Sequence, residues 1–296
     1  MSAHTALLEL QQAVSTVAVA AAPSIVGIGA RVRGSGVVIA DGLVLTNAHN
    51  LRGAETTVRF ADGRTARGVV RGADWDGDLA VVEVDTAGAA PLAWSETAAT
   101  IGTAVFAAAA SASGGVRVSV GFVSSVAQPF RGPGGRRIDG SLEHTAPLAP
   151  GSSGSALLDV DGRLVGLNTN RVGEGFYLAL PASTSVRARV EALSRGESPE
   201  RPRVGIAVAP AHVARHLRRA TGLPEREGIL IREVEAGSPA EAAGLAQGDL
   251  LVGAGGKPVA GLDDLHSALA GGFPIELTLV RGTEERTVTV STPDAV

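Results

Sequence analysis

The sequence predicts a mainly β chain of two domains, in which a larger domain precedes a small α+β unit. Aromatic residues make up only 3% of the 296 residues while glycines number 39, so the cores must be built from Val, Leu, Ile and Ala. Short apolar runs alternate with Gly and Asp turns, which is typical of strands. A linker at residues 196–203, with two prolines and mixed charge, separates residues 24–195 from residues 204–293.

Composition excludes several classes of protein. The formal charge of −4 gives no general attraction to nucleic acid or to an anionic membrane, and the small basic clusters at 131–137 and 215–219 are interpreted as solvated surface. The absence of cysteine excludes disulfides and thiol chemistry. We expect no metal and no cofactor, because five of the six histidines lack metal-ligand spacing and are interpreted as surface residues; they are His4, His144, His212, His216 and His266. The sixth, His49, is considered below.

Residues 1–23 are predicted to be a helical segment. Its stretch 5–20 can form an amphipathic helix, and residues 13–30 are apolar but contain Pro23 with no Lys or Arg ahead of them. We therefore expect neither a signal peptide nor a membrane span, and the compartment stays open between the cytoplasm and a periplasmic or membrane-anchored location. The candidate apolar contacts of the helix are Leu7, Leu8, Leu10 and Val14.

Two titratable residues stand at the ends of predicted strands in the first domain. Asp41-Gly42 is a hairpin signal, and the strand that follows it ends at His49. Taken alone, His49 is more often a capping or surface residue. Asp78 begins the apolar run 79–84, so its carboxylate should be partly buried and should need hydrogen-bond donors.

The run Gly151-Ser152-Ser153-Gly154-Ser155 forms a tight glycine turn ahead of the apolar residues 156–158. A serine becomes a nucleophile only when a base takes its proton and N–H donors stabilise the new oxyanion. An isolated Ser/Gly cluster is usually a flexible turn. The presence of His49 and Asp78 upstream, both in strand contexts, favours a nucleophilic role for Ser153.

The order His49, Asp78, Ser153 resembles that of the chymotrypsin-fold serine peptidases, and the match is closest to the HtrA family. The resemblance also includes Gly34-Ser35-Gly36 and Leu164-Val165-Gly166-Leu167-Asn168-Thr169. In the second unit, residues 237–245 with Gly248-Asp249 resemble a PDZ domain of the HtrA type. The resemblance implies a chymotrypsin-like double β-barrel protease domain followed by a small α+β PDZ domain.

Residue roles follow from this resemblance. Ser153 would be the nucleophile and His49 the general base, while Asp78 would orient the imidazole and stabilise its cation. The turn Gly151, Ser152, Ser153 would form the oxyanion hole, with the N–H groups of Gly151 and Ser153 as donors. The substrate pocket would be lined by Ala146, Leu148, Ala149, Leu167, Asn168 and Thr169, and no carboxylate lies among them, so a small or medium apolar P1 side chain is expected.

The second unit would bind peptide C-termini by adding a strand to a sheet edge. Its predicted groove comprises Arg203, Val204, Gly205, Ile206, Leu265 and Leu269, although taken singly these are more often a strand start and core leucines.

Several positions depart from the family pattern. The family usually has Asn at Ser152 and Gly at Ser155, and Ser152 cannot form the ion pair that digestive relatives make with a newly cut amino terminus. A homotrimer is implied by the resemblance, but the N-terminal aromatic residues that often support family trimers are missing, since Phe60 is the first aromatic.

The leading hypothesis is an ATP-independent serine endopeptidase of protein quality control that cleaves unfolded or misfolded polypeptides, with a PDZ module that recruits or regulates. One alternative is a proteolytically inactive HtrA-like chaperone or PDZ-mediated binding protein. A second is an esterase, which the absence of a nucleophile elbow makes remote.

Overall fold

The structure, a computed structural model, describes residues 3–132, 137–138, 140–199, 203–269 and 271–291. The chain divides into two compact units, Met1–Pro199 and Glu200–Val296, called the first unit and the second unit below. The expected boundaries, at residues 23, 195 and 203, stay predictions, and residues 133–136 of the basic cluster 131–137 lie outside the described residues.

The first half of the first unit is a closed six-stranded barrel with strand order β1-β2-β3-β6-β5-β4. Its interior is filled by Val, Ile, Leu and Ala side chains, with Phe60 at one end. All neighbouring strands are antiparallel, so every backbone ladder closes and no edge is left open. The strands are β1 (Ile25–Ile28), β2 (Gly34–Ala40), β3 (Leu43–Thr46), β4 (Glu55–Phe60), β5 (Thr65–Asp74) and β6 (Leu79–Glu83).

The second half is another closed barrel, with strand order β11-β14-β13-β12-β7-β8. A separate two-stranded sheet, β9 with β10, lies at the two ends of the basic cluster 131–137. The strands are β7 (Ala104–Ala110), β8 (Val116–Val126), β9 (Phe130–Arg131), β10 (Arg137–Ile138), β11 (Leu142–His144), β12 (Ala156–Leu158), β13 (Leu164–Val172) and β14 (Phe176–Pro181).

A shared apolar cluster joins the two barrels. Leu45 and Val81 of the first barrel pack in it with Phe106 and Leu158 of the second, and Phe106 is the largest fully buried side chain. Helix α2 (Thr184–Ser194) adds two buried side chains to the same cluster. Side chains of both barrels therefore have to be placed together, which fixes the two halves of the first unit relative to one another.

Helix α1 (Ala3–Ala21) is longer than expected and buries a different face. Val17 and Ala21 are buried in the shared cluster and Val14 packs against it. The expectation that the leucines of the first turns make apolar contacts is wrong, because Leu7, Leu8 and Leu10 are exposed by 67%, 50% and 47%. Amphipathic spacing selects a helix but does not say which of its apolar residues meets the core.

Residues 4–24 satisfy the length and composition of a membrane-crossing helix, a test that core helices and signal sequences also pass. The expectation that the chain holds no span or signal therefore stays a prediction.

The second unit is one antiparallel sheet with strand order β15-β16-β17-β19-β20, and β18 pairs with β17. Its core is built from Leu, Ile and Val of the sheet together with Leu265 and Leu269 of helix α5. The strands are β15 (Ile206–Ala209), β16 (Ile229–Val234), β17 (Leu250–Ala254), β18 (Lys257–Pro258), β19 (Ile275–Arg281) and β20 (Glu284–Val290), and the helices are α3 (Ala211–Ala220), α4 (Pro239–Ala242) and α5 (Leu262–Leu269). The mainly β double-barrel fold with a small α+β unit is confirmed.

Candidate active site

Strand pairing in the first barrel brings His49 and Asp78 together. β3 ends at Thr46, which pairs with Ala80 of β6, and a short 3-10 turn then places His49 beside the residue that precedes β6. Asp78 adopts φ +55°, a left-handed conformation that Asp tolerates better than most residues. The turn aims its carboxylate back at the histidine.

The Asp78 carboxylate accepts hydrogen bonds on both oxygens while it is only 3% exposed. His49 Nδ1 lies 2.9 Å from Oδ1 and 2.9 Å from Oδ2, and the His49 backbone N–H donates to Oδ1 at 3.1 Å. Thr169 Oγ1 donates to Oδ2 at 2.7 Å. Because a carboxylate only accepts, Nδ1 must carry the ring proton, so Nε2 of the neutral imidazole is left as a base.

The serine turn of the second barrel is held by backbone and side-chain groups of the first. The Ser35 N–H and Asn50 Nδ2 both donate to the carbonyl of Ser153, at 2.7 Å and 2.9 Å. Ser35 Oγ donates to the Gly151 carbonyl at 3.0 Å and accepts the Ala110 N–H at 3.1 Å. The position of Ser153 is therefore set by contacts across both barrels.

The Ser153 hydroxyl donates to the Thr169 carbonyl at 2.8 Å. Among the described residues, the Ser153 hydroxyl makes this one hydrogen bond, and no hydrogen bond joins it to His49. Thr169 thus contacts both ends of the predicted triad, through its hydroxyl at Asp78 and its carbonyl at Ser153. Catalytic hydrogen bonds are often long or poorly aligned until substrate binds, so the missing bond between Ser153 and His49 is compatible with their predicted roles as nucleophile and base.

Gly151 shapes the predicted oxyanion hole. Its φ of +86° is a conformation that glycine adopts at no steric cost. Within the described part of the chain, neither the Gly151 N–H nor the Ser153 N–H donates to a backbone acceptor. The Ser152 N–H, in contrast, donates to the Ala149 carbonyl at 3.2 Å. Ser152 therefore stabilises the turn but offers no free N–H donor to an oxyanion.

We expect Gly154→Ala to destabilise the first unit by about 3 kcal/mol or more, since the new methyl group combines backbone strain with a clash. Gly154 has φ +83°, and an added Cβ would lie 2.2 Å from the Ser35 carbonyl oxygen. Denaturation followed by tryptophan fluorescence measures this, because both tryptophans, Trp75 and Trp94, lie in the first unit. Gly162→Ala is the matched control: it has φ +73° and open space around the added Cβ, so strain alone should cost about 1–2 kcal/mol. Equal midpoints for the two variants would contradict the clash.

The six predicted substrate-pocket residues differ in burial. Ala146 and Leu167 pack in apolar clusters of the barrels. The Asn168 side chain is buried and hydrogen-bonded, and Thr169 contacts Asp78 and Ser153 as described. Leu148 and Ala149 are half-buried, so of the six these two offer the most accessible apolar surface next to the serine turn.

In the second unit, the predicted peptide groove lies along the sheet edge. β15 pairs with β16 and, among the described residues, with no other strand. Gly205, at φ +83°, precedes β15, and an added Cβ would lie 2.2 Å from Ser238 Cβ, so the tight loop requires glycine. Leu265 and Leu269 are core residues, as are the side chains of Val204 and partly of Ile206, while Arg203 pairs with Glu235 at 3.4 Å.

Sequence reasoning missed the contributions of Ser35, Asn50 and His144. Ser35 belongs to the Gly34-Ser35-Gly36 motif that carries part of the family resemblance, and this motif was the sequence signal that could have pointed to it. His144 was expected at the surface, but it is fully buried, and burial lowers its pKa to about 4, against the opposing effect of the hydrogen bond that its ring donates to Asn168 Oδ1. Across the described ranges, no group of three or more His, Cys, Asp or Glu side chains could hold a metal ion.

Comparisons with known proteins agree with this geometry. Residues 34–167 match the family model of the trypsin-like peptidase domain, and residues 230–281 match that of the PDZ domain. HhoA of Synechocystis sp. is 31% identical over 280 residues, which are 88% of this chain and 70% of that protein. The mitochondrial serine protease HTRA2 of Bos taurus is 30% identical, over 87% of this chain and 59% of the relative.

Solved structures show the same architecture. The HtrA-type protease AlgW with a decapeptide superposes with a TM-score of 0.61 at 21% identity, covering 94% of this chain and 97% of that one. The serine endoprotease from Yersinia pestis has a TM-score of 0.59 at 25% identity, over 95% and 98% of the two chains. By its two matched domains, its relatives and its fold, the chain belongs to the HtrA family of serine proteases, as a trypsin-like peptidase domain followed by a PDZ domain.

Proposed function

We propose that this serine protease cleaves unfolded or misfolded polypeptides without ATP, after small or medium apolar residues, and that its PDZ domain binds peptide C-termini. The observation that supports the protease assignment most is the contact between His49 and the buried carboxylate of Asp78. It places a ring proton on Nδ1, so Nε2 of the neutral imidazole can act as a base, and Thr169 links this pair to the Ser153 hydroxyl.

The residue roles follow the chemistry of acyl transfer. Ser153 Oγ leaves the Thr169 carbonyl, gives its proton to His49 Nε2 and forms a bond to the scissile carbonyl carbon. The electron pair moves to the carbonyl oxygen, which the N–H groups of Gly151 and Ser153 stabilise. The His49 cation, stabilised by Asp78, then protonates the leaving amine as the peptide C–N bond breaks, and water releases the acyl group by the same steps in reverse.

The substrate preference rests on what surrounds the serine turn. Leu148 and Ala149 are apolar and half-buried, and the six predicted pocket residues include no carboxylate that would attract a Lys or Arg side chain of the substrate. Apolar pockets discriminate by about 1–3 kcal/mol per methylene, so accessibility of the chain should decide cleavage more than its sequence does.

We expect casein to be digested without added nucleotide, with Val, Ala or Leu on the N-terminal side of most cleaved bonds. Mass spectrometry of the fragments measures this directly. Native lysozyme and the same protein reduced and carboxymethylated form a matched pair of substrates, and only the unfolded form should be cut. Cleavage mainly after Lys or Arg, or equal digestion of both lysozymes, would overturn the proposed specificity.

The proposed peptide site on the PDZ domain is supported by its open edge. β15 offers unpaired backbone groups, and the Gly205 N–H, in the loop ahead of it, donates to no backbone acceptor among the described residues. A cavity of about 360 Å³ lies at the other end of β15, lined by Val208 and Ala209, the start of α3 and Leu262. A peptide whose carboxylate binds near Gly205 would run antiparallel to β15 and reach this cavity with side chains upstream of its C-terminus.

We expect an apolar decapeptide with a free C-terminal carboxylate to bind the full chain at least about tenfold more tightly than the same peptide with an amidated C-terminus. The loss reflects the removed negative charge, which N–H donors of the Gly205 loop would otherwise bind. Fluorescence anisotropy with the Ser153→Ala chain measures affinity without cleavage. Equal affinities would show that the carboxylate is not recognised. Regulation of cleavage by the bound peptide and a homotrimer remain predictions from the resemblance.

A further inference from the structure

A buried histidine stands behind the serine turn and takes no part in the mechanism above. His144 ends β11, where it pairs with Tyr177 of β14, and its ring stacks on the Tyr177 ring at a centroid distance of 5.9 Å. It is fully buried. Nε2 lies 2.8 Å from Asn168 Oδ1, while Nδ1 has no hydrogen-bond partner among the described residues.

The hydrogen bonds of Asn168 determine which ring nitrogen of His144 carries the proton. Asn168 Nδ2 donates to Ser155 Oγ at 2.9 Å and to the Ala156 carbonyl at 3.1 Å. The amide orientation is thereby fixed with Oδ1 towards His144, and an amide oxygen only accepts. Nε2 must therefore be the protonated nitrogen, and Nδ1 is bare.

The ring keeps this form because a second proton would have no acceptor. A protonated Nδ1 would be a buried donor without a partner, and burial already lowers the pKa of His144 to about 4. At neutral pH, His144 is therefore a neutral donor with a fixed tautomer, unlike His49, whose Nδ1 is the protonated nitrogen.

Asn168 connects this donor to the serine turn. Its carbonyl accepts the Gly154 N–H at 2.7 Å, and its N–H donates to the Ser155 carbonyl at 2.9 Å. The next residue, Thr169, contacts both Asp78 and the Ser153 hydroxyl. A shift of Asn168 would therefore move the two residues that follow Ser153 and the Thr169 carbonyl that accepts the Ser153 hydroxyl.

We propose that His144 is a positioning residue of the active site, whose Nε2–H fixes the Asn168 side chain and through it the Ser153 turn and Thr169. His144 touches neither substrate nor reacting atoms. The inference rests on the proposed nucleophile, Ser153.

Two variants test the packing of the His144 ring separately from the hydrogen bond that it donates. His144→Phe keeps a flat ring against Tyr177 but leaves Asn168 Oδ1 without a donor, and we expect kcat to fall about tenfold or more with KM changed less than about twofold. His144→Gln loses the ring but places an amide N–H near the former Nε2, and kcat should stay within about threefold of the wild type. A Phe variant with wild-type kcat, or a folded Gln variant that loses as much kcat as the Phe variant, would overturn the proposal.

A spectroscopic measurement covers the case in which the Phe variant fails to fold. Nitrogen-15 NMR of the histidine-labelled wild-type chain should show His144 as the Nε2–H tautomer, with no titration between about pH 5 and 8. An Nδ1–H tautomer, or a titration midpoint inside that range, would refute the positioning role. Failure of the nucleophile assignment is distinguishable, because Ser153→Ala would then retain activity whatever the state of His144.

Discussion

Ser153→Ala is expected to abolish casein cleavage, with a loss of at least about 10⁴-fold in kcat, because the proposed mechanism forms the acyl intermediate on the Ser153 hydroxyl. The fold should be retained, since the Ser153 contacts that hold the turn use its backbone carbonyl, which alanine keeps. The side chain makes one hydrogen bond, to the Thr169 carbonyl. The loss should therefore appear in activity and not in the tryptophan-monitored denaturation midpoint.

A fluorophosphonate probe measures the nucleophile without a substrate. Mass mapping should place the label on Ser153 alone and find none on the Ser153→Ala chain. Ser113→Ala, in an exposed turn of the same unit, is the matched control and should be labelled and active like the wild type. Casein cleavage that survives Ser153→Ala would place the nucleophile elsewhere, whereas an unlabelled, inactive wild-type chain would favour the alternative of a proteolytically inactive relative.

Asp78→Asn is expected to lower kcat by about 10⁴-fold while the barrels stay folded. Both carboxylate oxygens accept hydrogen bonds, from His49 and from Thr169. If the new amide NH₂ faces the imidazole, Nδ1 must become an acceptor, so Nε2 takes the proton and can no longer act as a base. If the amide oxygen faces it instead, the negative charge that stabilises the His49 cation is still lost.

The control for this change is Asp161→Asn, which makes the same substitution at an exposed hairpin turn of the first unit and should leave kcat within about twofold. Steady-state kinetics on a fluorogenic peptide, together with the denaturation midpoint, separates catalysis from stability. Unchanged turnover in Asp78→Asn would mean that another carboxylate orients the base.

The parts of the fold that the sequence predicted well are those in which one local signal decides the outcome. The apolar runs at residues 79–84 and 156–158, each preceded by a turn, form strands β6 (Leu79–Glu83) and β12 (Ala156–Leu158). The burial of Asp78 followed in the same way from its place ahead of an apolar strand, and its donors are present in the structure.

What could not be predicted depends on contacts between distant segments. His144 belongs to a strand of only three residues, and its partner Asn168 follows 24 residues later, so no local pattern distinguishes it from a surface histidine. The prediction that the first leucines of α1 contact the core was wrong for a related reason. Helical periodicity is satisfied equally by Val17 and Ala21, which are the residues that the core buries. The bond from the Ser153 hydroxyl to Thr169 depends on a side-chain rotamer, which composition and spacing do not encode.

The hydrogen bonds of Ser35 and Asn50 to the serine turn bear on the stage of synthesis at which proteolytic activity can first appear. The proposed nucleophile, Ser153, lies past the midpoint of the chain, and the groups that fix its carbonyl lie in the first 50 residues. During translation, a nascent chain that has emerged only through the first barrel contains the proposed base, His49, and its carboxylate partner, Asp78, but lacks the proposed nucleophile. On the proposed roles, hydrolytic activity arises only after the second barrel has folded against the first, so a chain that ends before Ser153 cannot cleave peptide bonds by this mechanism.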